Sequence, residues 1–317
     1  MKDMTEQNVI KSTSLLTIEH LNISFTQYES GIHRRVLSVI QDLNVQIHTG
    51  ELVAIVGSSG SGKSLLAHAV LDILPYNASM EGKLNYCGTP LTKDRIRRLR
   101  GSEIVLVPQS IGCLDPLMKI GPQLVKGRKD AASKRCMSSI LHYLGLEEEL
   151  SDAYPFELSG GMNRRVLIGT ALAEQPKLVI ADEPTPGLDP AIADRVIKYF
   201  RDMADQGIGV LLITHDLELA LRAADRIVVF YAGNTVEEAL PEDFRNESSL
   251  RHPYTKALWR AMPQNGFQPL AGTQPYVRDL KEGCPFADRC SMYTEACSQK
   301  IPYRALRSGY VRCLYAE

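Results

Sequence analysis

The octapeptide Gly57-Ser58-Ser59-Gly60-Ser61-Gly62-Lys63-Ser64 constrains this chain more than any other stretch. It has the form G-x-x-x-x-G-K-[ST], a phosphate-binding pattern when it joins a strand to a helix. Residues 52–56, Leu-Val-Ala-Ile-Val, make the apolar run of a buried parallel strand. Residues 65–71 that follow suit a helix. The glycines let the backbone curl, so that successive N–H groups face phosphate oxygens. The helix start adds partial positive charge at the same point. Lys63 is expected to reach the β- and γ-phosphates, and the Ser64 hydroxyl to sit on Mg²⁺. The bland alternative is a glycine-rich turn without ligand, and the flanking strand and helix count against it.

A chain of 317 residues is long for one compact domain and suggests a main domain with an appendage. Apolar residues make up 44%, enough for a full core. The net charge of −1 gives no general pull toward nucleic acid or an anionic membrane. No apolar run approaches the roughly 20 residues that span a bilayer. Residues 1–14 are polar, without the apolar centre of a signal peptide, and read as a loose tail. The expected compartment is therefore the cytosol, with docking on a membranous partner.

Alternation of apolar and polar residues predicts strands over 16–25, 36–40 and 43–47, antiparallel in character. A short strand is expected over 82–88, and a basic, solvated helix face over 94–100. Apolar runs over 103–109, 177–183, 209–215 and 226–231 predict further buried strands, with a helix over 191–204. Strands alternating with helices argue for a parallel sheet. Between about 110 and 165 the pattern turns helical, with prolines and glycines, and reads as an inserted helical subdomain. The main domain is expected over 15–245. Residues 246–317, rich in Pro, Gly, Cys and Tyr, read as an appended small domain.

Asp182 and Glu183 close an apolar strand. A phosphate-binding loop needs a second carboxylate strand to complete its magnesium site, and Asp182 suits that role. Glu183 would orient and polarise an attacking water. Taken alone, such a pair is more often a solvated strand end or a helix cap. Its place after the phosphate-binding loop reverses that judgement.

Gly57–Ser64, Gln109, Leu158-Ser159-Gly160-Gly161-Met162, Asp182-Glu183, Leu188-Asp189 and His215 fall in the order of the ATP-binding cassette (ABC) ATPases, which the chain resembles from about residue 16 to 240. Ser-Gly-Gly between the two nucleotide motifs is the most specific part, because ordinary P-loop proteins lack it. The resemblance implies an α/β P-loop core with an N-terminal antiparallel β subdomain. It also implies a head-to-tail dimer that sandwiches two ATP molecules. Each site would take its P-loop from one chain and Ser159, Gly160 and Gly161 from the other, as a second anion cradle at a helix start. By the same resemblance Gln109 would touch Mg²⁺ and couple the site to the helical subdomain. His215 would contact the γ-phosphate, and Asp189 would lie at the dimer seam. The plainer reading of Asp189 is a cap for the next helix. Adenine would stack on an aromatic of the N-terminal part. Phe25 is the choice, with Tyr28 as the alternative.

A branch is also suggested. Cys113-Leu114-Asp115-Pro116, Ile120-Gly121-Pro122-Gln123-Leu124, Tyr154-Pro155-Phe156-Glu157 and 252–258 resemble the peptide and nickel importer ATPases. So do Gly283-Cys284-Pro285-Phe286 and Arg289-Cys290. Departures are Pro108 and Ser110 around Gln109, Asn163-Arg164-Arg165 in place of Arg-Gln-Arg, and Pro190 after Asp189. Four tail cysteines, Cys284, Cys290, Cys297 and Cys313, could hold zinc or an iron–sulfur cluster. Their spacing has no C-x2-C pair, so it is not a zinc ribbon. The resemblance suggests a [4Fe–4S] cluster of structural role, with zinc or no metal as alternatives.

The leading expectation is an ATP-hydrolysing subunit of an importer for peptide, nickel or metal-chelate cargo, peripheral on the cytoplasmic face of the membrane. Expected partners are a sister ATPase subunit, or else a second copy, two permease subunits and, indirectly, an external binding protein. The rival is a soluble ABC ATPase acting on nucleic acid or ribosomes, for which the charge offers no basic footprint. An exporter ATPase is a weaker third reading.

Overall fold

A computed structural model describes residues 14–30, 33–58, 60–276, 279–280 and 282–317. The chain opens with two long antiparallel strands, β1 (Ser14–Ser30) and β2 (His33–His48). Residues 36–40 and 43–47, expected as separate strands, are one. Asp42 breaks the apolar alternation with a φ of 51°, yet the ladder resumes across it through Ile40↔Ile23 and Leu43↔Leu21. A register shift absorbs the extra residue, as a bulge does. β3 (Leu52–Val56) then leads into α1 (Lys63–Val70). β4 (Ala78–Tyr86) and β5 (Thr89–Pro90) return to the first sheet, whose order is β2-β1-β4-β5.

After α2 (Lys93–Leu99) comes β6 (Ile104–Val107). From there to residue 159 the described residues contain no strand, only α3 (Ile120–Leu124), α4 (Ala131–Tyr143) and short 3₁₀ turns. α5 (Gly160–Leu172) brings the chain back to β7 (Leu178–Asp182). Next come α6 (Pro190–Asp205), β8 (Gly209–Thr214), α7 (Leu217–Ala223), β9 (Arg226–Tyr231) and β10 (Asn234–Ala239). The tail supplies α8 (Pro253–Ala261) and a hairpin, β11 (Arg304–Leu306) with β12 (Gly309–Val311). The second sheet has the order β11-β12-β10-β9-β3-β8-β7-β6. Its last five strands are parallel, and its first three are joined antiparallel.

The apolar runs explain the layering. Leu52, Ala54 and Val56 face a core made with the helices, while Val53 and Ile55 face a core shared with the first sheet. Val210 and Leu212 against Leu211 and Ile213 divide the same way along β8. A strand covered on both faces has no polar side to alternate with. Among the described residues no helix is long and apolar enough to cross a membrane.

The tail is tied into this frame rather than standing apart. β12 pairs with β10 through Glu237↔Val311 and Glu238↔Tyr310. Buried Glu237 accepts the Arg251 and His252 amides at 2.9 and 2.7 Å and the Arg251 guanidinium at 3.2 Å. His252 caps α8, its Nδ1 accepting from the Tyr254 amide at 3.0 Å, while its Nε2 has no partner among the described residues. Burial, helped by the Arg312 charge, pushes the imidazole from its ordinary 6.5 down to about 3. Between those values only the unfolded chain takes the proton, so stability is complete above pH 6.5 and falls as pH drops toward 3. The slope from this one group approaches about 1.4 kcal/mol per pH unit. His252→Asn keeps a capping acceptor and removes the titration. Its urea stability is expected to fall less steeply than that of the unaltered protein between pH 6 and about pH 4; parallel curves would refute this.

Candidate active site

Three neighbouring strands, β3, β8 and β7, end on one side of the sheet, and the loops beyond them carry the candidate residues. The carboxyl ends of parallel strands are where such sheets bind ligands. The phosphate-binding loop starts at Gly57, where a Cβ would lie 2.2 Å from the Phe230 carbonyl oxygen, so only glycine fits against the end of β9. It ends at Gly62, which caps α1 with a φ of 97°. Ser59 lies outside the described residues; Gly60 is exposed, and Ser61 is fully buried, its hydroxyl without a partner among the described residues.

Lys63 is buried and folds back over the loop. Its Nζ donates to the Gly57 and Ser58 carbonyls at 2.8 and 2.9 Å. Glu183 Oε1 is 3.9 Å away. Burial pushes this ammonium's pKa below its usual value, and the charges of Glu183 and Asp182 partly restore it. The Ser64 hydroxyl donates to Asp182 Oδ1 at 3.0 Å. Burial drives the Asp182 carboxyl upward, the charge of Glu183 adds to this, and the Ser64 bond opposes it. A hydroxyl beside a carboxylate that burial leaves reluctant to ionise is a hard-oxygen pair suited to Mg²⁺.

Glu183 follows directly, with a φ of 44°, left-handed for a residue that has a Cβ. Its amide donates to the Ile213 carbonyl at 2.9 Å, which fixes the turn at the end of β7. That turn aims the carboxylate at His215, the first residue after β8, whose Nδ1 is 2.7 Å from Glu183 Oε2. The strained backbone coincides with a group of chemical interest, as strain often does.

The Ser-Gly-Gly stretch lies elsewhere. Ser159 caps α5, its Oγ accepting from the Met162 amide at 3.3 Å. Ser159 and Gly160 are exposed, and a Cβ on Gly160 would meet nothing within 4 Å. Among the described residues no hydrogen bond joins this helix start to the phosphate-binding loop. Asp189 caps α6, its Oδ1 accepting from the Ile192 amide at 3.1 Å, which is the plainer of its two readings. Gln109 is exposed just past β6. Phe25 is half-buried against the core shared by the two sheets. Tyr28 is 62% exposed, with the Arg34 guanidinium over its ring.

Arg164 was not anticipated. It stands on the second turn of α5 and is buried, with Nη1 and Nη2 on the carbonyls of Pro108 and Gln109 at 2.9 and 2.6 Å. Burial lowers its pKa, and its Nε has no partner among the described residues. It couples the Ser-Gly-Gly helix to the backbone of Gln109. The available signal was its departure from the glutamine expected by resemblance.

The tail cysteines depart from expectation. Cys284, Cys290, Cys297 and Cys313 are free thiols, close enough that each of the last three raises the pKa of Cys284, which burial pushes to about 11. Backbone amides point at three of the sulfurs: Phe286 at Cys284, Met292 at Cys290, and Tyr315 with Ala316 at Cys313. Yet among the described residues no three His, Cys, Asp or Glu side chains come together as a metal-holding group. The four-ligand site expected from the sequence is thus not assembled at ligating distance.

This sheet and its two glycine-rich helix starts are those of a P-loop ATPase of the cassette class. Residues 40–186 match the family described as ABC transporter, and residues 236–297 match the one described as oligopeptide/dipeptide transporter, C-terminal region. The dipeptide transport ATP-binding protein DppD of Bacillus subtilis (strain 168) is 33% identical over 315 residues, 93% of this chain and 92% of its own length. The oligopeptide transport ATP-binding protein OppD of the same organism is 34% identical, covering 89% of this chain and 83% of its own. A dimeric post-hydrolysis state of the ATP-binding cassette MJ0796 bound to ADP and Pi superposes with a TM-score of 0.61 at 26% identity, covering 72% of this chain and 99% of that one. The chain belongs to the ABC transporter ATPases, in the branch that holds the dipeptide and oligopeptide transport ATP-binding proteins. It is an ATP-binding, ATP-hydrolysing cassette. The soluble nucleic-acid rival is not favoured.

Arg164→Met keeps the stem and removes the donors. It is expected to cost about 2 kcal/mol in urea unfolding, the size of a bond pair from a charged donor. ATP turnover should fall more than ATP affinity, because the Gln109 backbone loses its brace. Wild-type stability together with wild-type turnover would show that the brace does nothing.

Proposed function

We propose that the chain is the ATPase subunit of a peptide importer, working as a dimer against two permease subunits on the cytoplasmic face of the membrane. The observation that carries this reading is that the Ser159-Gly160 start of α5 is exposed, with nothing within 4 Å of a Cβ on Gly160, and among the described residues makes no hydrogen bond to the chain's own phosphate-binding loop. A second subunit, a sister ATPase or a second copy, is needed to bring such a helix start onto the nucleotide. The peptide class rests on the relatives' transport of dipeptides and oligopeptides and on the match over 236–297. Nickel and metal-chelate cargo find no such support.

In this reading Lys63 exchanges the Gly57 and Ser58 carbonyls for the β- and γ-phosphates of ATP. Gly60 and Gly62 let the loop's amides turn inward. Ser64 and Asp182 would hold Mg²⁺, with Gln109 beside them, and the ion would supply positive charge for the terminal phosphates. Glu183 orients the attacking water and accepts its proton. His215 holds that carboxylate through Nδ1, fixing its direction, and stands next to the γ-phosphate. Asp189 is assigned to the dimer seam, and Phe25 to the adenine, with Tyr28 its alternative.

Glu183→Gln, co-expressed with the permease subunits, should stay with them through purification and retain ATP. Its steady turnover should drop by about 100-fold or more, as for a lost general base. Hydrolysis at the unaltered rate would remove Glu183 from the role, and recovery with ribosomes instead of permeases would remove the transport reading.

Among the described residues the tail thiols do not form a ligating group; we assign them as a soft ligand set that would close on a structural iron–sulfur cluster or zinc, supported by the amides aimed at three of the sulfurs. No step of ATP hydrolysis is routed through it. Elemental analysis of anaerobically purified protein should find iron or zinc in fixed proportion to chain. Metal-free, fully folded protein would end this assignment.

A further inference from the structure

The phosphate-binding loop is touched from the far end of the chain. The Ser58 hydroxyl donates to Oε1 of Gln274, 216 residues later. The Tyr254 phenol of α8 also has the Ser58 side chain and backbone as hydrogen-bonding neighbours. Behind these contacts stands a packed aromatic group. The Tyr231 ring, at the end of β9, lies 4.4 Å from that of Tyr254, and Phe286 meets it edge-on at 5.4 Å. Phe230, next to Tyr231, is the residue whose carbonyl abuts Gly57. The loop therefore rests on a stack contributed jointly by β9 and the tail.

Arg289 holds both parts of this support. Its Nη1 donates to the Tyr231 hydroxyl at 3.1 Å, and the guanidinium lies 5.9 Å from the Phe286 ring centre. Its Nε donates to the Ala271 carbonyl at 3.0 Å, and its Nη2 to the carbonyls of Leu270 and Gly272 at 3.3 and 3.0 Å. One planar group thus fixes the aromatic stack and the turn that delivers Gln274 two residues later. A lysine, with a single nitrogen, cannot span those four acceptors.

We propose that the tail positions the phosphate-binding loop for ATP, with Gln274 and Arg289 as positioning residues that act through Ser58. The Ser58 carbonyl accepts from Lys63 Nζ while its hydroxyl donates to Gln274 Oε1, so the tail sets the residue against which the phosphate-binding ammonium is placed. Asp182, Glu183 and His215 bond to partners outside the tail, so the support acts on nucleotide affinity and leaves the hydrolytic groups in place. The proposal rests on the loop being the ATP site and adds a tail-dependent determinant of its affinity.

The test uses the full chain, with fluorescent trinitrophenyl-ATP and magnesium as the binding probe and ATP hydrolysis measured in parallel. Gln274→Ala deletes only the contact with Ser58. It is expected to raise the dissociation constant and KM about fivefold, the size of one neutral hydrogen bond, with kcat unchanged. Its thermal midpoint should stay within about 2 °C of the unaltered protein. Arg289→Lys should raise both constants at least as much. Ser58→Ala with Gln274→Ala should be no weaker than Ser58→Ala alone, because the Gln274 contact is already lost with the Ser58 hydroxyl. Unaltered affinity in Gln274→Ala, additive losses in the double variant, or a fall in thermal midpoint without a change in affinity would each overturn the proposal. Failure of the unaltered chain to bind the probe would instead overturn the ATP site itself, and this inference with it.

Discussion

One ammonium and two carboxylates kept from water at the ends of adjacent strands are the constraint that the rest of the structure serves. Lys63, Asp182 and Glu183 are all buried, and removing charge from water is costly unless partners replace the solvent. The structure supplies those partners singly: carbonyls for Lys63, a hydroxyl for Asp182, an imidazole for Glu183. Burial is the main cause of the upward push on Asp182, and the neighbouring Glu183 charge adds to it. In the proposed function, a cation on the Ser64–Asp182 pair and phosphate on Lys63 would replace part of the water that burial removes. The strand order makes the grouping possible. β8 lies between β3 and β7, so His215 emerges between the phosphate-binding loop and the carboxylate pair.

The candidate residues fall in two places. The loop and the carboxylates belong to the parallel sheet, whereas Ser159-Gly160 belongs to a helix whose start is exposed. Arg164 is the mechanical link between these parts, since its guanidinium holds the backbone at Pro108 and Gln109 from within α5. A buried arginine satisfied by carbonyls rather than by a carboxylate keeps its charge unneutralised. It favours whatever places negative charge nearby, and the segment it grips runs straight out of β6 beside the carboxylate strand.

Much of this was legible in the residues because the strands are buried on both faces and therefore read as plain apolar runs. The ends of those runs place the glycine-rich loop, Asp182, Glu183 and His215 at one edge of the sheet, while the role given to His215 came from the family resemblance. The long first hairpin was misread as three pieces, because the polar pair Gln41-Asp42 looks like a turn. Tertiary bonds override that local signal: the Asp42 carboxylate is taken by His20 and Arg312, and the strand continues. β11 and β12 were not anticipated, since three-residue strands carry too little periodicity to detect. Arg164 and Gln274 could not be placed by spacing at all, because their partners are backbone carbonyls and a serine far away in sequence. The cysteine spacing showed that the tail thiols are a group but not whether they assemble around an ion.

The tail's attachment changes what kind of element it is. Arg312 ties it to the first sheet through Asp42 and to the second through the Thr235 carbonyl, at 2.9 and 3.1 Å. Arg289 ties it to β9 and to the turn before Gln274. β12 covers the edge of β10, which would otherwise present unpaired backbone groups. An appendage joined by a linker could be lost without consequence for the ATP site. This one completes a sheet edge, buries Glu237 and reaches Ser58 of the glycine-rich loop, the contacts on which the proposed positioning role rests.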